Sequence, residues 1–174
     1  MIGRQLFRFR GLIGTMAALL VWLVARPNVN SLLVGLVPIV PGLALRTWAA
    51  GYLGPRGRVK TISGGELVSA GPYAVLRHPQ YIGNFLLTGG CLLALNPAPI
   101  VSASVLVLFV IEYGLIARAE DAVIAACDDS RGSDGQRFRL VHALVERSTL
   151  AAVAGVYALC LVRMALVGAG DAPG

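Results

Sequence analysis

Residues 71–83 (GPYAVLRHPQYIG) form a dense polar stretch between apolar parts of the chain. They include one of the two histidines, two of the five tyrosines, an arginine and two prolines. Polar and ionisable groups next to hydrocarbon are costly unless they are paired or used in function. We therefore place the predicted chemical centre of the protein in this stretch.

The composition on either side of it is typical of a membrane protein. Of the 174 residues, 56% are hydrophobic and 14% are charged, and the mean hydropathy is +0.73. The apolar residues lie in blocks instead of amphipathic stripes, which does not fit a water-soluble core. The sequence predicts an all-α, polytopic membrane bundle that forms a single domain over residues 1–174.

Five apolar runs are predicted to be transmembrane helices, at about residues 7–26, 31–53, 81–95, 100–117 and 150–167. The first run follows Arg4, Arg8 and Arg10 but lacks a small-residue cleavage site. We therefore interpret it as a retained span and not as a signal peptide. Arg46 and Trp48, near the end of the second run, are expected to anchor at the membrane interface.

Residues 96–99 (NPAP) are too few and too rich in turn-forming residues to be anything but a tight connection between two helices. The third and fourth runs are therefore predicted to form an antiparallel pair. This arrangement brings residues 71–83 close to the polar residues from Arg118 onward.

The basic residues lie at the ends of the apolar runs, where they fix orientation and meet anionic lipid headgroups. With five spans, the N-terminus and segments 54–80 and 118–147 share one side, and only Arg26 opposes it. The sequence predicts a multi-pass protein of a bacterial inner membrane, with its site on the cytoplasmic face and membrane lipids as partners. The net charge is +6, but the basic residues are not interleaved with aromatic residues, so nucleic acid is not a predicted partner. The three cysteines show neither metal-ligand spacing nor a disulfide framework, so no metal is predicted.

Two polar clusters are predicted to meet across the helical pair. The first consists of Tyr73, Arg77, His78 and Tyr81, and the second of Arg118, Glu120 and Asp121. A ligand that bridges them would present positively charged and hydroxyl-bearing parts to the carboxylates and acceptors to the donors. S-adenosylmethionine, with a sulfonium, a ribose and an amino acid moiety, has this character.

The same residues resemble a known group of membrane enzymes. Residues 71–73 (GPY), residues 77–83 (RHPQYIG), an apolar hairpin and then Glu120 and Asp121 resemble the isoprenylcysteine carboxyl methyltransferase and phospholipid methyltransferase superfamily. The resemblance covers roughly residues 59–142. It implies an integral-membrane enzyme that uses S-adenosylmethionine to methylate a lipophilic acceptor, such as an isoprenylcysteine-like carboxylate or a phospholipid amine.

Carried over by position, the resemblance implies a cofactor site formed by Leu67, Val68, Tyr73, His78, Pro79, Gln80, Tyr81, Glu120 and Asp121. It also implies a catalytic role for Arg118 in contacting the acceptor. If the acceptor is an amine, His78 is the nearby catalytic side chain suited to accept its proton. The chain departs from the family pattern at Asp121, where a second glutamate is usual. It departs again at residues 127–135, where a phenylalanine-glycine pair and paired tyrosines are usual.

Two other functions stay open at this point. Sterol and steroid reductases, which use NADPH, carry a similar arginine-histidine-proline-asparagine-tyrosine motif. Gln80 stands in place of their asparagine, and Asn84 lies where an acidic residue is common. A non-enzymatic membrane scaffold would use residues 71–83 only to brace the helical pair, and Tyr73 and Tyr81 would then belong to an interfacial aromatic belt.

Overall fold

The computed structural model describes residues 2–53, 70–126 and 137–170, and within these ranges it contains helices and no strand. The α-helices are α1 (Ile2–Leu23), α2 (Val29–Leu53), α3 (Pro79–Leu95), α4 (Pro99–Ala126), α5 (Leu140–Ala143) and α6 (Arg147–Gly170). Two 3-10 turns lie at Gly71–Ala74 and Leu144–Glu146. The predicted all-α membrane bundle is confirmed, and the five long described helices overlap the five apolar runs, with α4 continuing nine residues beyond its predicted end to Ala126.

Three described segments are long and apolar enough to cross a membrane, namely Val29–Leu53, Pro99–Ala122 and Leu140–Val167. The apolar part of α1, Gly11–Leu23, is shorter, and α3 has 17 residues. A helix of that length extends about 26 Å, close to the ~30 Å hydrocarbon core of a bilayer. Large apolar side chains point outward from several helices, as expected for surfaces that face lipid.

Glycines bring α2 and α3 into backbone contact. A Cβ added at Gly35 would lie 2.7 Å from the carbonyl oxygen of Gly90, and one added at Gly90 would lie 2.5 Å from Ile39 Cγ1. Further along the same contact, Gly42 and Gly83 face each other. Helices in a membrane associate by close packing, and small residues permit it. This contact fixes the register of α3 against α2.

One end of the bundle is held by hydrogen bonds between its turns. Asn96 ends α3 in the left-handed region, at φ 49°. Its side chain donates to the Arg26 carbonyl at 3.0 Å, and the Arg26 amide donates to the Leu95 carbonyl at 3.0 Å. Asn28 caps α2, because its Oδ1 accepts the Ser31 amide at 2.9 Å. The tight connection predicted at residues 96–99 therefore joins α3 to α4 beside the α1–α2 turn.

Arg163 attaches α6 to this same end. Its guanidinium donates to the carbonyl oxygens of Leu23 at 3.1 Å and Ala25 at 3.2 Å, and it lies 5.8 Å from the centroid of the Trp22 ring. A cation at a helix C-terminus satisfies carbonyls that have no partner within the helix. An apolar cluster that includes Val21, Leu95 and Cys160 packs here.

Replacing Gly90 by Ala should destabilise the protein by about 1 to 3 kcal/mol, because the new methyl group has no room between α2 and α3. Gly89→Ala is the matched control, since a Cβ at Gly89 meets nothing within 4 Å. Alanine also favours the helix, so the control should be neutral or slightly stabilising. Thermal unfolding of the detergent-purified variants measures both. Equal stability of the two variants would contradict the close α2–α3 contact.

Candidate functional site

The site lies at the opposite end of the bundle, where residues 70–78 lead into α3. Gly71 has φ +63°, and a Cβ there would lie 2.4 Å from Cε2 of the Tyr52 ring. Only glycine meets both conditions without strain. The turn that follows is therefore held directly against the end of α2. On the other side of Tyr52, Phe138 packs edge-on at 5.8 Å between ring centroids.

His78 is the centre of a charged cluster between α3 and α4. Its Nε2 lies 3.2 Å from Asp121 Oδ1, and its Nδ1 lies 3.6 Å from Glu120 Oε2. The first distance permits a hydrogen bond, whereas the second is an electrostatic contact. Arg77 Nε lies 3.0 Å from the same Asp121 oxygen, although its side chain is largely exposed. The structure thus brings Arg77 and His78 of the first predicted cluster to Glu120 and Asp121 of the second.

Both carboxylates lie near the N-terminus of α3, because His78 is the residue that precedes its first turn. The unpaired amides of a helix N-terminus favour negative charge. The side chains of His78 and Glu120 are 22% and 23% exposed, so the cluster is partly shielded from solvent and still reachable by a ligand.

Stacked aromatic rings continue the site into the bundle. The Tyr81 ring lies parallel to His78, with 5.2 Å between centroids and 9° between planes. Tyr113 of α4 meets Tyr81 edge-on at 5.0 Å and stacks on Phe109 at 4.1 Å. Such arrangements are favourable for aromatic pairs and restrict how each ring can turn.

Tyr73 contributes a buried hydroxyl group near Glu120. The oxygen is buried and has no hydrogen-bond partner within residues 2–53, 70–126 and 137–170. Burial raises the pKa of the Tyr73 phenol well above its ordinary value. The Gln80 side chain approaches the hydroxyl without satisfying hydrogen-bond geometry, and this weak contact offsets only part of the effect. Glu120, Arg46 and Glu146 are close enough to act on it electrostatically. A buried polar group without a partner is a natural position for a ligand contact.

A buried ion pair lies beside Tyr73. Arg46 Nε donates to Glu146 Oε2 at 2.9 Å and its Nη2 donates to Glu146 Oε1 at 3.1 Å, with side-chain exposures of only 13% and 8%. The prediction that Arg46 anchors at the membrane interface is therefore wrong. The side chain turns inward because its charge is neutralised there, whereas Trp48 is 48% exposed.

Arg46 also contacts α3, where its Nη1 donates to Asn84 Oδ1. The Asn84 amide nitrogen in turn donates to the Tyr113 hydroxyl at 3.1 Å. These four residues, which the sequence motif does not include, are further members of the site end: Arg46, Asn84, Tyr113 and Glu146. One signal in the sequence could have identified Arg46, because it is an ionisable residue within a predicted span. Such a residue is costly in hydrocarbon unless it has a partner.

A groove of about 240 Å³ opens between α2 and the start of α6. It is lined by Leu43, Thr47, Ala143, Leu144, Glu146, Arg147 and Leu150. The Glu146 carboxylate therefore lies between this groove and Arg46.

The remaining predicted residues divide into three groups. Pro79 is buried at the first turn of α3, and Gln80 lies near Tyr73. Arg118 is exposed on α4, and its catalytic role stays a prediction. Leu67, Val68 and residues 127–135 lie outside the described residues.

Comparison with known proteins supports the resemblance seen in the motif. A family model described as phospholipid methyltransferase matches residues 30–126, which is more than half of the chain. The nickel-cobalt-cadmium resistance protein NccN of Alcaligenes xylosoxydans xylosoxydans is 33% identical over 94 residues. That alignment covers 54% of this chain and 41% of NccN, so the chain spans less than half of this curated relative. No solved structure matches the chain.

The burial of Tyr73 predicts a specific alkaline sensitivity. Because the folded protein raises the phenol pKa, the neutral form is favoured, and this contribution is complete below about pH 10 and lost as the pH rises toward the folded pKa. Above about pH 10 the wild type should lose stability relative to Tyr73→Phe, by at most about 1.4 kcal/mol per pH unit. Thermal unfolding of both proteins across this range measures the difference. Parallel curves would show that Tyr73 ionises freely.

Proposed function

Because the chain belongs to the phospholipid methyltransferase family, we propose that it transfers a methyl group from S-adenosylmethionine to a lipophilic acceptor that approaches from the bilayer. The observation that carries this proposal is the cluster of His78, Glu120 and Asp121 at one end of an apolar helical bundle. The family supplies the reaction class, and the cluster supplies a place for the cofactor.

The chemistry of the cluster fits S-adenosylmethionine. Two carboxylates, Glu120 and Asp121, suit a positively charged amine or sulfonium and the hydroxyl groups of a ribose. The buried Tyr73 hydroxyl, which has no partner in the described part of the chain, offers one further hydrogen bond. The partial exposure of His78 and Glu120 leaves room for a ligand to reach them.

The bound cofactor would supply an electrophilic methyl group. The protein itself would hold and orient the cofactor and shield the reacting groups from water. Glu120 would accept hydrogen bonds from the cofactor, and Tyr73 and Gln80 would orient it. The family resemblance also assigns Leu67 and Val68 to this site, although they lie outside the described residues. Positioning of this kind can lower the activation free energy of a well-oriented reaction by ~7 to 11 kcal/mol. If the acceptor is an amine, His78 takes up its proton. If the acceptor is a carboxylate, the reaction needs no base, and Arg118 would attract it by its charge.

The apolar outer surface of the bundle supports a lipophilic acceptor. Leucine and valine side chains cover the outer surface of α1, α2 and α4, so a substrate arriving sideways meets lipid-like surface. An isoprenylcysteine-like carboxylate and a phospholipid amine both fit this description. The metal resistance in the name of NccN describes that protein and specifies neither a reaction nor an acceptor.

We assign the site to the cytoplasmic face of a bacterial inner membrane. Among the described residues, Arg77, Arg118, Arg139 and Arg147 lie at the site end of the bundle. Arg26 and Arg163 lie at the other end, where Arg163 binds backbone carbonyls. Positively charged residues near span ends favour the cytoplasmic side. Protease or thiol-labelling accessibility of the site end in inverted vesicles tests this orientation.

Calorimetric titration of the detergent-purified protein with S-adenosylhomocysteine tests the cofactor assignment. We expect saturable binding by the wild type and a loss of about 10-fold or more in Glu120→Gln, because a charge-assisted hydrogen bond is removed. Tyr73→Phe should weaken binding by about 3- to 10-fold. Tyr157→Phe is the matched control, since its hydroxyl donates to the Leu32 carbonyl at the other end of the bundle.

Absence of binding by folded wild-type protein would contradict the proposal. A parallel titration with NADPH then separates the remaining functions. Binding of NADPH would indicate a reductase, and binding of neither ligand would favour a scaffold.

A further inference from the structure

A continuous series of polar and aromatic contacts runs from the turn before α6 to His78. It begins at Glu146, which lines the groove on one side and pairs with Arg46 on the other. It passes from Arg46 to Asn84 and from Asn84 to the Tyr113 hydroxyl. The described helices α2, α3 and α4 each contribute a member, so the series crosses the whole site end of the bundle.

Arg46 is suited to hold several neighbours at once, and its Nη2 also donates to Thr149 Oγ1 at 3.3 Å. Its guanidinium is a rigid fork with five donors, and here it engages both oxygens of Glu146 and the side-chain oxygen of Asn84. The approach to α3 is possible because Gly83 has no side chain. A Cβ there would lie 2.5 Å from Arg46 Cγ.

The contact with Arg46 determines how Asn84 is oriented. With its oxygen held by the guanidinium, the amide nitrogen points to Tyr113 and donates to the hydroxyl at 3.1 Å. Phe109 stacks on the Tyr113 ring at 4.1 Å, so the ring is held at its hydroxyl and at its face. Tyr113 in turn meets Tyr81 edge-on at 5.0 Å.

Tyr81 passes this constraint to His78. The two rings are parallel to within 9°, so a rotation of Tyr81 would disturb the plane of the imidazole. That plane directs Nε2 toward Asp121 and Nδ1 toward Glu120. A purely structural ion pair would require only Arg46 and Glu146, whereas here the contacts continue to the ring at the centre of the site.

We propose that Arg46 is a positioning residue for the methyltransferase site, acting through Asn84, Tyr113 and Tyr81 on the orientation of His78. The proposal rests on the proposed function, because it concerns the site assigned to the cofactor. It gives Asn84, which lies outside the cofactor residues implied by the motif, a defined role in that site.

Histidine ring signals in the NMR spectrum test the proposal directly. The chain has two histidines, His78 and His142, so selective ¹⁵N-histidine labelling gives two sets of ring signals, which His142→Gln assigns. Asn84→Leu and Tyr113→Phe each interrupt the series and leave the buried ion pair intact. Arg46→Lys keeps the charge opposite Glu146 but replaces the fork with a single ammonium.

In all three variants we expect the His78 ring signals to shift or broaden. In Asn84→Leu and Tyr113→Phe, which leave the Arg46–Glu146 pair intact, the His142 signals should stay in place. Affinity for S-adenosylhomocysteine should fall by about 3- to 10-fold, as for the loss of one neutral hydrogen bond. The control Tyr157→Phe should change neither quantity. Tyr113→Phe preserves the ring and its stacking, so it carries the test if Asn84→Leu does not fold.

Unchanged His78 signals and unchanged affinity in folded Asn84→Leu and Tyr113→Phe would overturn the proposal and leave the series as a structural brace. If the wild type does not bind S-adenosylhomocysteine, the proposed function fails separately. The histidine signals then decide alone, because altered signals support the positioning of His78 and unaltered signals refute it.

Discussion

The contact between α2 and α3 is the constraint on which the rest of the site depends. Glycines at positions 35, 42, 83 and 90 let the two backbones touch, and any Cβ at the innermost positions would overlap a neighbouring atom. This contact places Arg46 across Gly83, within reach of Asn84. It also fixes where α3 begins, and therefore where His78 stands relative to the carboxylates of α4. A small shift of α3 along α2 would separate both sets of partners.

The two ends of the bundle differ in how they satisfy polar groups. At one end, Arg163, Asn96 and Asn28 bind backbone atoms that the helices leave without partners. Those hydrogen bonds are internal and complete the turns. At the other end, charged side chains bind one another, and Tyr73 has a hydroxyl with no partner in the described ranges. Burying such a group without a partner lowers the stability of the protein, and a ligand that pairs with the group restores that stability. The end of the bundle with paired charged side chains and the buried Tyr73 hydroxyl is thus the end to which we assign the function.

The sequence predicted the helices well, because five apolar blocks and the residues 96–99 turn leave little freedom in their order. It also predicted that His78 meets Glu120 and Asp121, since an antiparallel pair joined by a short turn must bring those positions to one end. The role of Arg46 was not predictable in the same way. Apolar blocks without a periodic stripe do not reveal which face of α2 points inward, and the partner Glu146 is 100 residues away. The motif resemblance likewise identifies residues of the proposed cofactor site. It does not include Asn84 or Tyr113, which we propose to orient His78 through Tyr81.

The separation of Arg46 from Glu146 has a consequence for biosynthesis. Chains emerge from the ribosome N-terminal end first, so α2 reaches the bilayer before Glu146 has been synthesised. During that interval the arginine lacks the Glu146 carboxylate that neutralises it in the folded protein, and an unpaired charge within hydrocarbon is costly. Synthesis of the turn at Leu144–Glu146 and of α6 then supplies both the ion pair beside Asn84 and the bonds from Arg163 to the end of α1. The polar contacts at both ends of the described bundle are therefore complete only after α6 has been added.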